Sequence, residues 1–298
     1  MWNQIAAQIS QVTGQPFDVS DRRSVGGGCI NSGYALSNGQ QTYFVKLNQA
    51  AQIAMFEAEA AGLQQMDATQ TIRVPRPICW GTADGSAYLV LEWLELGRGS
   101  SQAWQEMGQC LAAMHQWIPP DSPLNKGGSD ERFGWERNNT IGSTPQINSW
   151  TQDWTAFWVE HRIGYQLKLA NRRGGSFPNG ERLLDTIPRL LADHTPQPSL
   201  VHGDLWSGNA AVTNAGEPVI FDPATYFGDR EVDLAMTELF GGFPSEFYRG
   251  YHDVFPVDSG YKQRKVLYNL YHILNHFNLF GGSYDSQANR MIDQLLAK

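Results

Sequence analysis

The chain has 298 residues, 41% of them hydrophobic and 17% charged, with a formal net charge of −8. This length allows one large domain or two lobes with separate cores, and the acidic balance argues against nucleic acid or an anionic membrane surface as a partner. The N-terminus lacks the basic and apolar regions of a secretory signal. Three cysteines stand far apart without a CxxC pair, which argues against structural disulfides and a zinc site and favours a reducing, cytoplasmic location.

The part of the chain up to residue 95 has the pattern of a mostly antiparallel sheet with one inserted helix. Apolar residues recur at helical spacing over 3–12, and Asn38-Gly39 has the composition of a hairpin turn. Strand patterns follow at 43–47 and 88–91, and a helical pattern over roughly 50–66 separates them.

After this sheet region the pattern changes to long amphipathic helices. The segment 104–118 repeats its apolar residues at helical spacing, and residues 119–149 are rich in Pro, Gly, Ser and Asn, as in a long irregular connection. Further helical patterns lie at 150–171, 181–193, 231–240 and 261–280, with short strand patterns at 200–202 and 218–222. This order predicts a two-lobed α+β fold, with an N-terminal sheet lobe over 1–94 and a larger, mostly helical lobe over 95–298.

The strongest chemical signal is the segment His202-Gly203-Asp204-Leu205-Trp206-Ser207-Gly208-Asn209, with Asp222 thirteen residues later. Phosphoryl transfer needs a carboxylate that orients the attacking hydroxyl, and hard oxygen ligands that hold Mg²⁺ against the phosphates of ATP. An Asp, an Asn five residues on and a second Asp beyond a hairpin have this arrangement in protein-kinase-like enzymes. We therefore predict Asp204 as the base, and Asn209 and Asp222 as metal ligands; the alternative is a plain turn and a strand-end cap.

Lys46 lies in the middle of a predicted strand, where its charge needs a polar partner. In a kinase the partners are the ATP phosphates and a helical glutamate, for which Glu57 and Glu59 are the candidates. Apolar residues flank Glu59 at the spacings that mark a core-facing stripe, whereas Glu57 has a single apolar neighbour at helical spacing. We predict that Lys46 and Glu59 pair at the nucleotide site; the alternative for Lys46 is a solvated residue on an edge strand.

A glycine cluster, Gly26, Gly27 and Gly28, stands between strand-like segments upstream of Lys46. Glycines allow backbone amides to approach phosphates closely, so we assign the three to nucleotide binding. The context matches neither a P-loop nor a dinucleotide-binding turn. In the hinge-like stretch at 92–97, Glu92 and Leu94 are assigned to the same nucleotide site.

Two further residues carry hypotheses of function. Trp206 lies beside the predicted base and is interpreted as a wall of the substrate site, with core packing as the alternative. Cys29 follows the glycine cluster, where a positive environment would favour the thiolate. We interpret Cys29 as a redox-sensitive thiol able to link two chains, or else as a small buried residue.

The segment after Asp222 argues against a protein kinase. Only six residues separate Asp222 from Asp229, which leaves no room for a long activation loop. Asp233, on the helix that follows, is predicted to tie that helix to the catalytic loop. The helical histidines, including His115, are interpreted as ordinary satisfied or solvated residues.

With these motifs the chain resembles the fructosamine kinase (ketosamine-3-kinase) family, within the wider group of aminoglycoside phosphotransferases and choline kinases. The similarity extends from about residue 20 to the C-terminus, and Trp206 distinguishes the chain from many aminoglycoside kinases, which have another residue there. Other similar segments are Gly28-Cys29-Ile30, Phe44-Val45-Lys46, Met55-Phe56-Glu57-Ala58-Glu59, Val74-Pro75-Arg76-Pro77, Pro145-Gln146-Ile147-Asn148, Phe240-Gly241-Gly242-Phe243-Pro244 and Leu274-Asn275-His276.

The resemblance implies a protein-kinase-like fold and transfer of the ATP γ-phosphate, with Mg²⁺, to the 3-hydroxyl of a ketosamine. Ketosamines are sugars joined to an amine or a protein lysine by glycation, so the activity would serve deglycation repair. Simple relatives favour ribulosamines and erythrulosamines over fructosamines. The alternatives are a kinase of the same fold acting on an aminoglycoside, choline or a pentose derivative, and a non-catalytic, redox-sensing nucleotide-binding protein. We expect a monomer, or a dimer that forms on oxidation.

Overall fold

The computed structural model describes residues 1–26, 30–119 and 132–297 of the chain. These residues form two compact units, the first made of Met1–Trp104 and Gly208–Pro223, and the second of Gln105–Ser207 and Ala224–Lys298. The first unit therefore extends ten residues beyond the boundary placed at residue 94, and it includes a later segment that the sequence pattern assigns to the helical lobe.

An antiparallel sheet is the centre of the first unit. Its strands are β1 (Asp21–Val25), β2 (Ser32–Ser37), β3 (Thr42–Gln49), β4 (Pro77–Ala83) and β5 (Ser86–Glu92), in the spatial order β1-β2-β3-β5-β4. Asn38 and Gly39 form the turn between β2 and β3, with Gly39 in the left-handed region at φ 89° and the Asn38 side chain accepting from the Gln41 amide at 2.7 Å. The order places β3, the strand of Lys46, at the middle of the sheet.

Two helices accompany this sheet. Helix α1 (Trp2–Thr13) packs Ile5 and Ile9, both fully buried, into a core that includes Phe17 and Val45. Helix α2 (Ile53–Ala68) follows a short 3₁₀ turn (Ala50–Gln52) and buries an apolar face along its whole length. The sequence predicts both helices and the strands between them, because the apolar residues recur at the period of each element.

A hairpin from later in the chain also belongs to the first unit. Strands β10 (Ala210–Thr213) and β11 (Pro218–Ile220) pair with each other, and β10 pairs with the short strand β6 (Leu96–Gly97). The Ile220 amide donates to the Arg73 carbonyl at 3.1 Å. The bonds from β10 to β6 and from Ile220 to Arg73 join segments more than 100 residues apart, which is why no local pattern reveals them.

The second unit consists mainly of helices. They are α3 (Ser101–Gln116, from Gln105 onward), α4 (Trp154–Phe157), a π-helical turn (Trp158–Gly164), α5 (Tyr165–Arg172), α6 (Gly180–Leu190), α7 (Glu231–Leu239), α8 (Ser245–Val254), α9 (Tyr261–Phe280) and α10 (Tyr284–Leu296). Two small antiparallel ladders accompany them, β7 (Asn139–Ile141) with β8 (Thr144–Gln146) and β9 (Ser199–Val201) with β12 (Tyr226–Gly228). In the described ranges, no helix combines the length and apolarity that crossing a membrane requires.

Sequence reasoning misses two helices of this unit, α8 and α10, although their patterns were readable. In α10 the buried residues Ala288, Ile292 and Leu295 stand at i, i+4 and i+7. The irregular connection predicted at 119–149 contains the β7–β8 hairpin, and residues 120–131 of it lie outside the described part of the chain.

Helices α3 and α8 touch backbone to backbone at two glycines. A Cβ atom on Gly108 would overlap the Phe247 carbonyl, and one on Gly250 would overlap the Gln105 carbonyl. Because backbone on a packed helix cannot move aside as a flexible side chain can, both positions require glycine.

We expect Gly250→Ala to lower the free energy of unfolding by about 1–3 kcal/mol, since the added methyl group overpacks a helix contact. Urea unfolding monitored by tryptophan fluorescence measures this change. Gly26→Ala is the matched control, because no atom of the residues that the structure describes lies within 4 Å of the Gly26 Cβ position. Equal unfolding midpoints for the two variants would contradict the close contact.

Candidate active site

Lys46 occupies the middle of the central strand β3, opposite Gly33 of β2 and Leu89 of β5. The residue is 5% exposed, so its ammonium group must find partners inside the protein. Lys46 Nζ donates to Glu59 Oε1 at 2.6 Å and also pairs with the Asp222 carboxylate. The other candidate, Glu57, is exposed.

The charges of Lys46, Glu59 and Asp222 affect the pKa values of Lys46 and Glu59. Burial lowers the pKa of Lys46, but the carboxylates of Asp222 and Glu59 outweigh it and raise the pKa above its ordinary value. Burial and the negative charge of Asp222 raise the pKa of Glu59, while Lys46 acts in the opposite direction. Lys46 is therefore a permanent cation, and its charge favours the ionised form of Glu59, whereas burial opposes that form.

The β10–β11 hairpin brings Asn209 and Asp222 to the same end of one ladder. Ala210 pairs with Ile220, and the Phe221 amide donates to the Asn209 carbonyl at 3.0 Å, so both polar residues flank the same final rung. Asp222 has a left-handed backbone with φ 59°, an uncommon state for a residue other than glycine that is often found at functional sites. Its side chain is 42% exposed, and its carboxylate is thus within reach of both Lys46 and a ligand.

The remaining residues predicted for nucleotide binding are described in part. Gly26 follows β1 and is exposed, whereas Gly27, Gly28 and Cys29 lie outside the described residues. Glu92 ends β5, and its carboxylate accepts from Arg73 at 2.6 Å and from Arg76 at 3.4 Å. Leu94 follows that strand and is half-buried.

In the second unit, Asp204 lies in a tight loop after β9. The backbone amides of this loop are bonded to the Asp233 side chain. The amides of His202 and Gly203 donate to the two Asp233 oxygens at 2.7 and 2.8 Å. The Asp204 amide donates to His202 Nδ1 at 3.2 Å. Gly203 has φ 81°, and a Cβ atom there would overlap the Ala224 carbonyl, so this turn requires glycine.

His115 anchors Asp233 and is a satisfied histidine, as the sequence interpretation allows, but its partners are not predictable from the sequence. Its Nε2 lies 3.0 Å from Asp233 Oδ2 and its Nδ1 lies 2.8 Å from the Tyr251 hydroxyl, both buried. Burial raises the pKa of Asp233, but the hydrogen bond from His115 and the Gly203 amide outweigh it, so the pKa lies below its ordinary value. No sequence pattern distinguishes His115 from another helical histidine, since its partners are more than 100 residues away.

Trp206 is half-buried and has an aromatic neighbourhood within the second unit. Its ring centroid lies 6.5 Å from that of Phe240 in an edge arrangement, and Phe240 lies 4.8 Å from the ring of His276. The Trp206 amide donates to the Asp204 carbonyl at 3.2 Å. The indole is therefore carried on the same turn as the predicted base.

The structure distributes the predicted residues over the two units. Lys46, Glu59, Asn209 and Asp222 all belong to the first unit, whereas Asp204 and Trp206 belong to the second. The first set provides charge, with a buried cation and hard oxygen donors, and the second set provides a carboxylate beside an aromatic ring.

The sheet unit with its Lys–Glu pair and the mainly helical unit define the fold of protein-kinase-like phosphotransferases. The crystal structure of the aminoglycoside phosphotransferase APH(4)-Ia has this fold, with a TM-score of 0.62 over 100% of this chain and 99% of that chain. At 13% sequence identity, the likeness concerns the fold alone. The α+β, protein-kinase-like class predicted from the sequence is confirmed.

Closer relatives identify the family. Residues 1–298 match the family model described as fructosamine kinase, so the chain belongs to the fructosamine kinase family. A probable ketoamine kinase of Synechocystis is 62% identical over 99% of this chain and 97% of its own length. The protein-ribulosamine 3-kinase of Arabidopsis thaliana, named as chloroplastic, is 43% identical over 95% of this chain and 85% of that protein. A crystal structure from Haemophilus somnus, described as a "putative fructosamine-3-kinase", has a TM-score of 0.91 at 30% identity, covering 99% and 98% of the two chains.

Removal of the buried cation should destabilise the first unit in a pH-dependent way. We expect Lys46→Met to lower the free energy of unfolding by about 3–5 kcal/mol near neutral pH, because Glu59 remains buried without its partner. Where folding raises the pKa of a carboxyl group, the protein loses stability as the pH rises above the pKa of that group in the unfolded chain, about 4.3 for Glu. The loss should thus be smaller at pH 5 than at pH 8, as measured by thermal unfolding.

The control is the double variant Lys46→Met with Glu59→Gln, which has no buried charge left at Glu59. We expect it to recover most of the lost stability at pH 8 and to depend less on pH than the single variant. If both variants lose the same stability at both pH values, Glu59 does not depend on Lys46 for its ionised state.

Proposed function

We propose that the protein is an ATP- and Mg²⁺-dependent kinase that phosphorylates the 3-hydroxyl of ketosamines, as its relatives' names suggest. The observation that carries the proposal is the buried Lys46, which pairs with Glu59 and Asp222 in a member of the fructosamine kinase family. The product of such a reaction decomposes, so the activity would repair glycated amines or protein lysines. We infer a cytoplasmic location from the cysteine pattern.

In this proposal the first unit binds the nucleotide. Lys46, oriented by Glu59, neutralises phosphate charge, and Gly26 with its neighbouring glycines supplies backbone amides. The Glu92 side chain is bonded to two arginines, so Glu92 would contact the adenine ring of ATP through its backbone, with Leu94 beside it. Asn209 and Asp222 provide the hard oxygen donors that suit Mg²⁺. A bound Mg²⁺ would neutralise the charge that develops on the transferred phosphoryl group.

The second unit binds the acceptor. Asp204 accepts a hydrogen bond from the attacking hydroxyl and takes its proton as the new P–O bond forms and the bond from the γ-phosphorus to the bridging oxygen of ATP breaks, which releases ADP. The turn that carries Asp204 is fixed by two backbone bonds to Asp233, which keeps the carboxylate oriented before substrate binds. Trp206 would pack against the sugar, and its ring face would attract the ammonium group of a glycated amine.

A panel of acceptors tests this function. ADP release is measured with ribulosyl-lysine, erythrulosyl-lysine, fructosyl-lysine, kanamycin and choline under equal Mg²⁺ and ATP. We expect turnover with the ketosamines and none above background with kanamycin or choline. Preference for kanamycin or choline would replace the proposal with another kinase of the same fold, and no Mg²⁺-dependent turnover with any acceptor would leave a nucleotide-binding protein without catalysis.

Asp204→Asn should reduce kcat by about 10²–10⁴-fold, the effect of removing a positioned general base. The KM for ATP should change little, because the carboxylate acts on the acceptor hydroxyl. Steady-state kinetics with a ketosamine at saturating ATP measures both. Turnover above a tenth of the wild-type rate would rule out Asp204 as the base.

Asp222→Ala and Asn209→Ala should both raise the Mg²⁺ concentration needed for half-maximal rate, since each removes an oxygen donor. The informative measurement is a Mg²⁺ titration at fixed ATP, with free ion and nucleotide complex calculated separately. An unchanged Mg²⁺ dependence in Asp222→Ala would mean that other residues bind the metal.

A further inference from the structure

Arg162 is a fully buried cation in the π-helical turn Trp158–Gly164 of the second unit. Among the described residues, none of the ion pairs involves it, and its Nε atom has no hydrogen-bond partner. Its Nη1 donates to the Ile147 carbonyl at 2.6 Å, and its Nη2 donates to Asn148 Oδ1 at 2.8 Å. π-Helical turns are rare and recur at functional sites.

Aromatic rings surround the guanidinium group. Its central carbon lies 4.1 Å from the ring centroid of Tyr226, 4.5 Å from that of Phe157 and 5.7 Å from that of Tyr271. Cation–π contacts offset part of the desolvation cost of the charge. A buried charge without a carboxylate partner nevertheless contributes less to stability than a well-packed apolar residue of similar volume, so stability alone does not account for Arg162.

A network of side-chain amides extends from Arg162. Asn148, which accepts from Arg162, donates through Nδ2 to Asn139 Oδ1 at 2.8 Å, and Gln146 Nε2 donates to the same oxygen at 2.8 Å. All three amide residues are at most 9% exposed. Because one oxygen accepts from two amides, the network has a single arrangement of donors and acceptors.

The network ends on the backbone just after the first unit's hairpin. Gln146 Nε2 donates to the Ala224 carbonyl at 2.9 Å, and Asn139 Nδ2 donates to the Thr225 carbonyl at 2.8 Å. These two bonds fix consecutive peptide groups, so the segment that starts at Ala224 cannot shift without breaking them.

That segment is bonded directly to the loop of the predicted base. The Ala224 amide donates to the His202 carbonyl at 2.9 Å, and the Thr225 hydroxyl donates to the Val201 carbonyl at 2.5 Å. Gly203 packs so closely against Ala224 that no side chain fits between them. Asp233 thus holds the amides of this turn, while Ala224 and Thr225, which the Arg162 network supports, bond the carbonyls of His202 and Val201.

Tyr271 joins helix α9 to the network. Its hydroxyl donates to Gln146 Oε1 at 2.7 Å, and its ring is one of the three around Arg162. Burial raises the pKa of Tyr271, Arg162 opposes this, and the carboxylate of Asp204 adds a smaller increase. The tyrosine is therefore held at both Gln146 and Arg162.

We infer that Arg162 and the amide network of Asn139, Gln146 and Asn148 are positioning residues that fix the carbonyl side of the turn carrying Asp204. This inference rests on the proposed function for Asp204. Arg162 does not contact the acceptor in this role. It holds the backbone that carries the base, and a small displacement of a catalytic group lowers the rate steeply.

Two variants test the inference. Arg162→Met keeps a long apolar side chain but removes the charge and its donors, and Tyr271→Phe removes one hydroxyl without changing the ring. We expect kcat per folded molecule to fall by about ten- to a hundredfold in Arg162→Met and about three- to tenfold in Tyr271→Phe. The KM for ATP should stay within about twofold of wild type, since uniform binding is unaffected.

The controls separate positioning from general stability. Ile292→Ala removes a fully buried side chain of α10, and Tyr261→Phe removes a hydroxyl that bonds Glu238 at 2.5 Å; both should lose stability and retain kcat. A double-mutant cycle with Asp204→Asn is the decisive readout. The effect of Tyr271→Phe on kcat should disappear when Asp204 is already replaced, because the two act through the same group.

Unchanged kcat per folded molecule in both Arg162→Met and Tyr271→Phe would overturn the inference. If Arg162→Met does not fold, Tyr271→Phe and its cycle decide alone. If the wild type phosphorylates no ketosamine, the proposed function fails, and amide hydrogen exchange then tests the positioning itself. Exchange of the Ala224 amide, which donates to the His202 carbonyl, should be about tenfold faster or more in Tyr271→Phe than in Tyr261→Phe, as loss of a network bond predicts; equal exchange would overturn the inference.

Discussion

A single buried ammonium group, Lys46, determines how the first unit can function. It lies on the central strand of a sheet where water cannot reach it, and it therefore requires carboxylates. Glu59 reaches it from helix α2 and Asp222 from the end of the β10–β11 hairpin. The pairing links three segments distant in sequence, and it also gives the unit a fixed positive charge, which the proposed function uses to bind phosphate. In that proposal, stability and nucleotide binding depend on the same contact.

The second unit positions a negative charge, the Asp204 carboxylate, through hydrogen bonds to the backbone of its turn. Asp204 is carried on a turn whose amides are bonded to Asp233, and Asp233 is in turn bonded to His115. The carbonyl side of the turn is bonded to the segment after Pro223, which the amide network of Arg162 supports. Backbone contacts on both sides restrict the turn more than side-chain packing alone could, which suits the proposed role of Asp204 as a base that is oriented before the acceptor arrives.

The sequence predicts what depends on local periodicity and on motif spacing. Helix α2 places Glu59 on its buried stripe and Glu57 toward solvent, so the pair with Lys46 could be chosen from the pattern. The interval from Asn209 to Asp222 predicts a hairpin with both residues at one end. Contacts between residues far apart in sequence were not predictable. The tertiary structure is needed to place the hairpin in the first unit, His115 beside Asp233, and the residues of the Arg162 network together. The left-handed backbone of Asp222 also lacks a signal, because that conformation is typical of glycine.

The central claim is that these two sets of residues transfer phosphate to one particular hydroxyl of a ketosamine. The most direct measurement is NMR of the product formed from ribulosyl-lysine with the wild-type protein, ATP and Mg²⁺, through phosphorus-to-proton and phosphorus-to-carbon couplings. The account predicts a single phosphomonoester whose phosphorus couples to the proton and carbon of position 3. Phosphorus coupled to another position, or only inorganic phosphate released from ATP, would contradict it.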